Sequence, residues 1–441
     1  MRIKVRRPWP AALKGSRSEV GDGRGALSLC LAASVIALLV APATVAVAQT
    51  RAPAPLHLEG SAAPEPWTRY RGWNAARWDD YNTLARRDLT RPPGQEIEIA
   101  TVTGDPKKGQ ELAFSRARGG GCLACHVMGT SSQETPGSFA PDLSEIGAAG
   151  RTDQWLFNYV YDARVYNPQT SMPPWGAHGF YTKGEVGDIV AFLKTLKAPA
   201  TFKDALDDPQ KRKQPVEDRE ALDPFVNPAA ERIEVGAALA AKPVGNGKSC
   251  VSCHADAKAA FAGWATSMPR WEPRLNKVLG VEEFIYRHAK ATLDVDWRMQ
   301  STANTDLSVY LHSLSNGREI RVDASSPEAK AAVARGKTLT ETKIGQLNFA
   351  CIDCHTQEHG ALKWLRGQWL GEFRGQLDHF PTWRTSRGTG ETWDVRKRFQ
   401  WCAVQVRANE LPPDAPEYGD LELYLKSLNQ GLKLTAPNIR H

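Results

Sequence analysis

The chain has 441 residues, of which 41% are hydrophobic and 24% charged, and its formal net charge is +7. This composition suits a globular protein and excludes a disordered chain, and the length suffices for several domains. Nucleic-acid binding has no support from charge, because residues 1–48 contain seven Lys/Arg and two Asp/Glu (+5) and leave 7 − 5 = +2 for the remainder.

The N-terminus, residues 1–48, has the features of a Sec-type signal peptide. Seven basic residues flank or precede an apolar run at residues 26–40, which has the length of a signal-peptide core. Ala46-Val47-Ala48 then predicts cleavage before Gln49. An uncleaved anchor is the alternative, although fifteen apolar residues are short for a membrane span. We therefore expect export to the periplasm and no stable membrane span after cleavage.

Six of the eight cysteines form three copies of the pattern C-x-x-C-H. In this pattern the two thiols attach a haem covalently and the histidine ligates its iron. One copy alone would also suit a zinc half-site or a redox pair, but three copies with the histidine in register favour three covalently bound haem c groups. The remaining Cys30 and Cys402 do not make a disulfide framework, since Cys30 lies in the predicted signal peptide. The copies are Cys122/Cys125/His126, Cys250/Cys253/His254 and Cys351/Cys354/His355.

The three haem motifs belong to three repeats of about 100 residues. Each repeat opens with a G-x-x-L helix, and the first cysteine follows that glycine by 13, 14 and 15 residues. Each closes with D-[IL]-x-x-[FY]-L-x-[ST]-L, whose apolar residues share one helical face. The opening glycines are Gly109, Gly236 and Gly336, and the closing helices begin at Asp188, Asp306 and Asp420.

This order of features predicts a mainly α protein with three consecutive cytochrome c-like helical domains, each built around one covalent haem. The haem replaces much of each core, so that short segments can fold with few aliphatic residues. A Pro- and Arg-rich surface extension precedes the domains, and a charged, Pro-interrupted linker follows the first one. We assign residues 49–95 to the extension, 96–200 to domain 1, 201–231 to the linker, 232–318 to domain 2 and 319–441 to domain 3.

The repeat also predicts the second axial ligand of each iron. Met172 stands in a Pro-fixed stretch 16 residues before Asp188, and His178 is the other candidate in domain 1. Cys402 and His288 each lie 18 residues before the closing aspartate of their own domain. Met268 and Met299 do not fit this spacing. We therefore predict Met172, His288 and Cys402 as the distal ligands.

These ligands imply different redox roles. Methionine with histidine raises the reduction potential of a haem, a thiolate lowers it, and two histidines lie between. The Met172 haem would be the exit for electrons. The Cys402 haem would be a poor simple carrier, which suggests that its sulfur ligand takes part in chemistry.

Long stretches around these motifs resemble the Sox thiosulfate-oxidising cytochrome. Domain 1 resembles its X subunit, and domains 2 and 3 resemble its A subunit, over roughly residues 98–200 and 225–440. The X-like stretches start at Gly121 (GCLACHV), Ala140 (APDL), Asn167 (NPQTSMPPWG) and Gly187 (GDIVAFLKTL). The A-like stretches start at Asn348 (NFACIDCH), Gly360 (GALKWLRGQWL), His379 (HFPTWR) and Arg398 (RFQWCAVQVRA).

Two departures from the family matter. X and A are usually separate chains, whereas this sequence looks like a natural fusion. Two-haem A subunits usually carry a cysteine ligand in their first repeat, where this chain has His288. The departure favours an electron-transfer or structural role for the second haem.

The resemblance implies an L-cysteine S-thiosulfotransferase activity at the third haem. In the family, thiosulfate is joined oxidatively to a cysteine on the swinging arm of a sulfur-carrier protein, SoxYZ, and electrons pass to a small soluble cytochrome c. The ligand cysteine corresponds to Cys402, and the active-site arginine four residues earlier corresponds to Arg398. If this stretch is helical, both side chains share one face, and the guanidinium would bind a thiosulfate dianion.

Several alternatives remain open. Arg398 would also suit a salt bridge to a haem propionate, and Arg384 and Arg407 are further arginine candidates. Trp364 and Trp369 are expected to pack on the haem. At the level of function, the alternatives are a tetrathionate-forming thiosulfate dehydrogenase and a non-enzymatic three-haem electron carrier.

Overall fold

The computed structural model is mainly helical. It describes residues 53–59, 78–115, 121–129, 135–214, 223–386 and 389–439, so the predicted signal peptide and Cys30 lie outside the described residues. Within these ranges the α-helices are α1 Pro106–Phe114, α2 Asp153–Asp162, α3 Lys183–Leu193, α4 Arg232–Ala241, α5 Cys250–Cys253, α6 Ala257–Phe261, α7 Val281–Leu293, α8 Thr302–Ser313, α9 Pro327–Glu341, α10 Cys351–His355, α11 Val395–Gln405 and α12 Pro416–Leu428.

Short strands and 3-10 turns complete the secondary structure. The strands form three separate antiparallel hairpins, β1–β2, β3–β4 and β5–β6. Their bounds are β1 Arg270–Glu272, β2 Lys277–Leu279, β3 Lys363–Leu365, β4 Gln368–Leu370, β5 Thr382–Ser386 and β6 Thr389–Trp393. The 3-10 helices are Trp78–Asp80, Cys122–Ala124, Ile146–Ala148, Ala163–Val165, Pro228–Glu231 and Trp264–Ser267. Among the helices of the described ranges, none has the length and apolar character needed to cross a bilayer.

The opening and closing helices of each repeat cross at a glycine. Helix α1 packs on α3, α4 on α8 and α9 on α12. A Cβ atom at the opening glycine would collide with the backbone carbonyl of the aspartate in the closing helix. Glycine is needed because any side chain would push the two helix backbones apart. The three equivalent pairs are Gly109 with Asp188, Gly236 with Asp306 and Gly336 with Asp420.

The same aspartates hold the opening segments through their carboxylates. Asp188 accepts a hydrogen bond of 2.7 Å from the backbone N–H of Asp105, the residue that caps α1. Asp306 accepts from Arg232 at 2.6 Å, and Asp420 accepts from Arg335 at 2.6 Å. The closing motif thus fixes the crossing through both its backbone and its side chain.

Part of the N-terminal extension is buried. Trp78, Tyr81 and Leu84 are only 1%, 7% and 6% exposed. Leu84 packs in a core cluster with residues of α9 and α12, and the Tyr81 hydroxyl donates to the carbonyl of His178 at 3.1 Å. These three residues are packed inside the protein, whereas a surface extension was expected here. Their burial is favourable because it removes large aromatic and aliphatic side chains from water.

Residues Ala54–His441 form one compact unit, in which the first and third repeats share an interface. The N–H of Ser138 donates to the carbonyl of Trp364 at 2.8 Å, and the N–H of Arg366 donates to that of Ala124 at 2.9 Å. Leu347 of the third repeat is buried in the core cluster of the first. This interface brings the segments of two C-x-x-C-H motifs together.

Candidate haem sites and a candidate active site

The motif histidines are arranged as metal ligands. His126 and His355 direct Nδ1 at the carbonyl oxygens of Pro141 and Gly371, both at 2.7 Å. A carbonyl only accepts, so Nδ1 carries the proton and Nε2 keeps a free electron pair for a metal. Burial, together with the positive charge of Arg398, lowers the pKa of His355 to about 4. The neutral imidazole that iron requires is therefore the stable form.

The second site brings the imidazole rings of His254 and His288 close together. Their ring centroids are 6.2 Å apart, with 55° between the ring planes. Two imidazoles on opposite sides of one metal, each with a metal–nitrogen bond of about 2 Å, would have centroids about 6 Å apart. His288 donates from Nδ1 to the carbonyl of Pro55 at 2.8 Å, which leaves its Nε2 for the metal. The residues fit a haem held by two histidines.

His288 and Cys402 occupy equivalent places in two similar helices. Each is the eighth residue of its helix, counted from Val281 in α7 and from Val395 in α11. In both domains a left-handed glycine in the turn before the haem motif lies against a carbonyl at the end of that helix. The pairs are Gly245 with Leu293 and Gly345 with Val406. The spacing used to choose His288 thus has a counterpart in three dimensions.

The third site gathers a thiol and a guanidinium beside a haem motif. Helix α11 places Arg398 one turn before Cys402, so the two side chains share a face. Burial, together with the nearby charge of Cys402, raises the pKa of Cys351 to about 12. Arg398 lies close enough to His355 to affect its pKa. Cys402 therefore neighbours the predicted haem attachment, and Arg398 neighbours the predicted proximal ligand.

A second arginine reaches this site from the β5–β6 hairpin. Arg384 lies on β5, with its guanidinium 5.6 Å from the ring centroid of Trp393. Burial and the charge of Arg398 together lower the pKa of Arg384 to about 9, with Cys402 opposing them. Two guanidiniums thus stand near one sulfur, an arrangement that favours a bound anion. Sequence spacing gave no sign of the hairpin that supplies Arg384.

Domain 1 places its candidate ligands in different surroundings. Met172 packs on the core cluster that contains Cys122 and Leu123. His178 is only 3% exposed and directs Nδ1 at the carbonyl of Gln346, across the interface, at 2.6 Å. Its Nε2 is buried and has no hydrogen-bond partner among the described residues, so His178 stays the alternative candidate. Met172 remains the predicted distal ligand of the first haem.

The first and third haem motifs are neighbours. Ser171, next to Met172, donates to Asp353 at 2.7 Å, and Asp353 lies between Cys351 and Cys354 in the sequence. Lys343 holds the same carboxylate at 2.7 Å and also donates to the carbonyl of Thr170 at 3.2 Å. Cys125 of the first motif is close enough to Cys354 of the third to contribute to its raised pKa. The interface therefore joins the segments that would carry two haems.

The remaining aromatic and arginine candidates contribute to packing. Trp364 is 6% exposed and lies edge-to-face with Trp369, with 5.3 Å between centroids. Arg407 lies 4.7 Å over the ring of Phe180 and donates to Gln346 at 3.0 Å. These contacts place Arg407 in the interface between the first and third repeats.

A buried ion network, not expected from the sequence, connects the two ligand helices. Arg396 of α11 is 0% exposed and pairs at 2.8 Å with both Glu283 of α7 and Glu422 of α12. Glu283 also pairs with Lys277 at 2.8 Å and with Arg287 at 2.9 Å. Charges buried to this extent are tolerated only when they are paired. The network fixes α11, and with it Arg398 and Cys402, against domain 2.

Crossed helices around C-x-x-C-H motifs, with the Nε2 atoms of His126 and His355 left for a metal, define a cytochrome c-like protein that binds haem c covalently. A family model described as "SoxA/TsdA, cytochrome c domain" matches residues 236–320. The L-cysteine S-thiosulfotransferase subunit SoxA of Pseudaminobacter salicylatoxidans is 30% identical over 220 residues, or 49% of this chain and 75% of that protein. The chain belongs to the SoxA family.

Further similarities are to a second SoxA subunit and to a solved structure. The SoxA subunit of Allochromatium vinosum is 30% identical over 226 residues, which cover 51% of this chain and 77% of that protein. The crystal structure of SoxXA from P. pantotrophus matches with a TM-score of 0.46 and 26% identity, over 51% of this chain and 84% of that one. The SoxA matches cover the C-terminal half of the chain.

Proposed function

We propose that this chain is an L-cysteine S-thiosulfotransferase of Sox thiosulfate oxidation. It would couple thiosulfate to a cysteine of a SoxYZ-type carrier: carrier-SH + S₂O₃²⁻ → carrier-S-S-SO₃⁻ + H⁺ + 2 e⁻. The names of its SoxA relatives support this activity. The observation that carries the proposal is the placement of Arg398 and Cys402 one turn apart on α11, beside the Cys351–His355 haem motif.

The chain's own residues would act in two steps. Arg398 and Arg384 bind the sulfonate end of thiosulfate, and its outer sulfur lies against the Cys402 sulfur. In the first step a sulfur–sulfur bond forms: Cys402-S⁻ + S₂O₃²⁻ → Cys402-S-S-SO₃⁻ + 2 e⁻. In the second step the carrier thiolate attacks the sulfur that bears the sulfonate and releases the Cys402 thiolate. Haem bound at the C-x-x-C-H motifs would accept the electrons one at a time.

Electrons would leave through domain 1. The Ser171–Asp353 hydrogen bond of 2.7 Å and the Lys343–Asp353 ion pair of 2.7 Å join the segments of the first and third haem motifs. Met172 ligation would give the first haem a higher potential than the thiolate-ligated third haem. A small soluble cytochrome c would then be the acceptor, and the X-like and A-like parts of one fused chain would keep this transfer intramolecular.

The second haem would have a different task. The position of Arg398 in α11 corresponds to Phe284 in α7, and the Phe284 ring stacks on His288 with 5.2 Å between centroids. At these two positions the second site therefore has a histidine and a phenylalanine, where the third has a cysteine and an arginine. We assign it an electron-transfer or structural role, in a periplasmic protein with three haems in domains 96–200, 232–318 and 319–441.

The test uses holoprotein with Cys402→Ser or Arg398→Gln. Three haems per chain should remain in both, while the thiolate-type electron paramagnetic resonance (EPR) signal disappears from Cys402→Ser, and thiosulfate- and carrier-dependent reduction of cytochrome c is lost. Arg398→Gln should keep the thiolate signal and lose at least tenfold in kcat/KM, because a charge-assisted hydrogen bond contributes about 1.5–3 kcal/mol. Full activity of a three-haem Cys402→Ser protein would refute the proposal.

The family description joins SoxA with TsdA, so thiosulfate dehydrogenase is the second candidate. That enzyme would couple two thiosulfates to tetrathionate without a carrier. Omitting the carrier from the same assay separates the two, since continued turnover with tetrathionate as product would favour the dehydrogenase. A protein with no thiosulfate dependence at all would instead be a three-haem electron carrier.

A further inference from the structure

A short N-terminal segment lies across the helix that carries His288. We name residues 54–59 the N-terminal strap. The N–H of His57 donates to the carbonyl of Arg287 at 2.9 Å, and the Arg287 guanidinium donates back to the carbonyls of His57 at 3.0 Å and Glu59 at 2.9 Å. The strap is therefore bonded to α7 in both directions, next to the predicted haem ligand.

Apolar and side-chain contacts fix the register of the strap. Ala54 and Leu56 pack on the core cluster of domain 2, whereas Leu58 is 56% exposed. Arg274 donates to the carbonyl of Ala54 at 2.7 Å, and Arg274 is itself paired with Glu272 at 2.7 Å. With its neighbours held on both sides, the carbonyl of Pro55 has a defined position.

That carbonyl accepts the Nδ1 proton of His288 at 2.8 Å, from 233 residues earlier in the chain. His126 and His355 obtain the same kind of partner from Pro141 and Gly371, only 15 and 16 residues away in their own domains. A partner on the second nitrogen fixes the ring orientation and tautomer of a metal-bound histidine and makes it a stronger donor. For His288 this partner is the strap.

We propose that the N-terminal strap is a positioning element for the second haem: its Pro55 carbonyl orients His288 as the distal ligand. The inference rests on the haem ligation proposed above but not on the thiosulfate reaction. The hydrogen bond lies at the surface, so water would replace the carbonyl in a protein without the strap. The change would then be a loss of orientation and donor strength rather than of all hydrogen bonding.

The direction of the effect follows from donor strength. A stronger donor stabilises ferric iron more than ferrous iron, so release of the strap should raise the midpoint potential of the second haem. When a metal-bound histidine loses the hydrogen-bond partner of its second ring nitrogen, metal affinity typically falls 10–100-fold. Only the part of this loss that differs between ferric and ferrous iron shifts the potential. For a surface bond we take a tenfold loss, which sets an upper bound of about 59 mV for a one-electron couple.

The experiment compares three holoprotein variants with the unaltered chain: deletion of residues 49–59, Leu56→Asp, and Leu58→Asp as the matched control. EPR-monitored redox titration follows the three ferric signals separately. The deletion and Leu56→Asp should raise the midpoint potential of the His/His haem, by up to about 59 mV or a tenfold change in its reduction equilibrium constant, and alter its EPR signal. Leu58→Asp, and the other two haems in every variant, should not change.

Three outcomes would overturn the inference. One is an unchanged second haem in both the deletion and Leu56→Asp. Another is an equal shift of all three haems, which would make the strap a general stabilising element. The third is an unaltered protein without a His/His signal, which would remove His288 as a ligand. Loss of thiosulfate activity with a normal His/His haem would affect only the proposed function.

Discussion

Arg396 is the residue whose replacement should most disturb the candidate active site without touching substrate. It is 0% exposed and donates to Glu283 and Glu422 at 2.8 Å and to the carbonyl of Pro413 at 3.0 Å. In Arg396→Met these acceptors lose their shared donor while they stay buried. Breaking a buried ion pair on one side costs roughly 3–5 kcal/mol.

Hydrogen exchange of holoprotein, followed by mass spectrometry on peptides that cover α11, measures this loss. The expected cost corresponds to at least a hundredfold faster exchange, because each 1.4 kcal/mol is about tenfold. Arg335→Met is the matched control: it removes a bidentate pair with Asp420 at 2.6 Å and 2.9 Å from an arginine that is 51% exposed. Only the Asp420 side of this pair is buried, so its loss should cost less than that of the fully buried Arg396 pairs.

A double variant tests whether the loss in Arg396→Met comes from leaving a buried carboxylate without its partner. Adding Glu422→Leu to Arg396→Met should recover part of the loss, because a buried pair replaced on both sides by apolar residues is often near neutral. If hydrogen exchange in α11 changed no more in Arg396→Met than in Arg335→Met, the buried network would not hold α11 in place. The reasoning from burial and pairing would then be refuted.

Three further changes test the fold, the buried acid and the anion site. Gly109→Ala should destabilise domain 1 by about 1–3 kcal/mol in urea unfolding, because its Cβ would overlap the partner helix, whereas Gly187→Ala, with nothing within 4 Å, should not destabilise it. Burial, with nearby negative charges, raises the pKa of Glu282 to about 8 from its ordinary value of 4.5. The folded state therefore binds the proton more tightly than the unfolded state, and the free energy of unfolding should fall as pH rises from about 4.5 to about 8. Glu282→Gln should flatten this decline, and a variant with the same pH profile as the unaltered protein would contradict the assignment. Arg384→Gln should lower kcat/KM for thiosulfate about 10–100-fold, since a hydrogen bond to a charged group contributes about 1.5–3 kcal/mol, and an equal loss in Arg407→Gln would argue against a specific role.

The arrangement of helices followed from the sequence because it is encoded by short, repeated patterns. The glycines of the opening helices meet the aspartates of the closing helices in all three repeats. The equivalence of His288 and Cys402, inferred from spacing, recurs as the eighth position of two helices. In each case a helical period of 3.6 residues turns sequence spacing into a face and a crossing point.

Other features were missed because they have no periodic signal. The hairpin that brings Arg384 toward Cys402 consists of two five-residue strands without alternating hydrophobicity. The buried part of the extension, with Trp78 at 1% exposure, lacks a helix or strand pattern, and it was expected at the surface. The Arg396 network joins charged residues that by composition alone belong on a solvated face.

The sequence by itself determined where haem attachment is predicted and which residues are candidates for its ligands, because C-x-x-C-H is a local unit that brings two thiols and an imidazole together within one turn. Only the tertiary structure decided what surrounds each of them. The Pro55 carbonyl at His288, the second guanidinium near Cys402 and the contact between the first and third haem motifs all join segments far apart in the chain. Such contacts depend on how whole domains pack, and burial and charge pairing act only after that packing has formed.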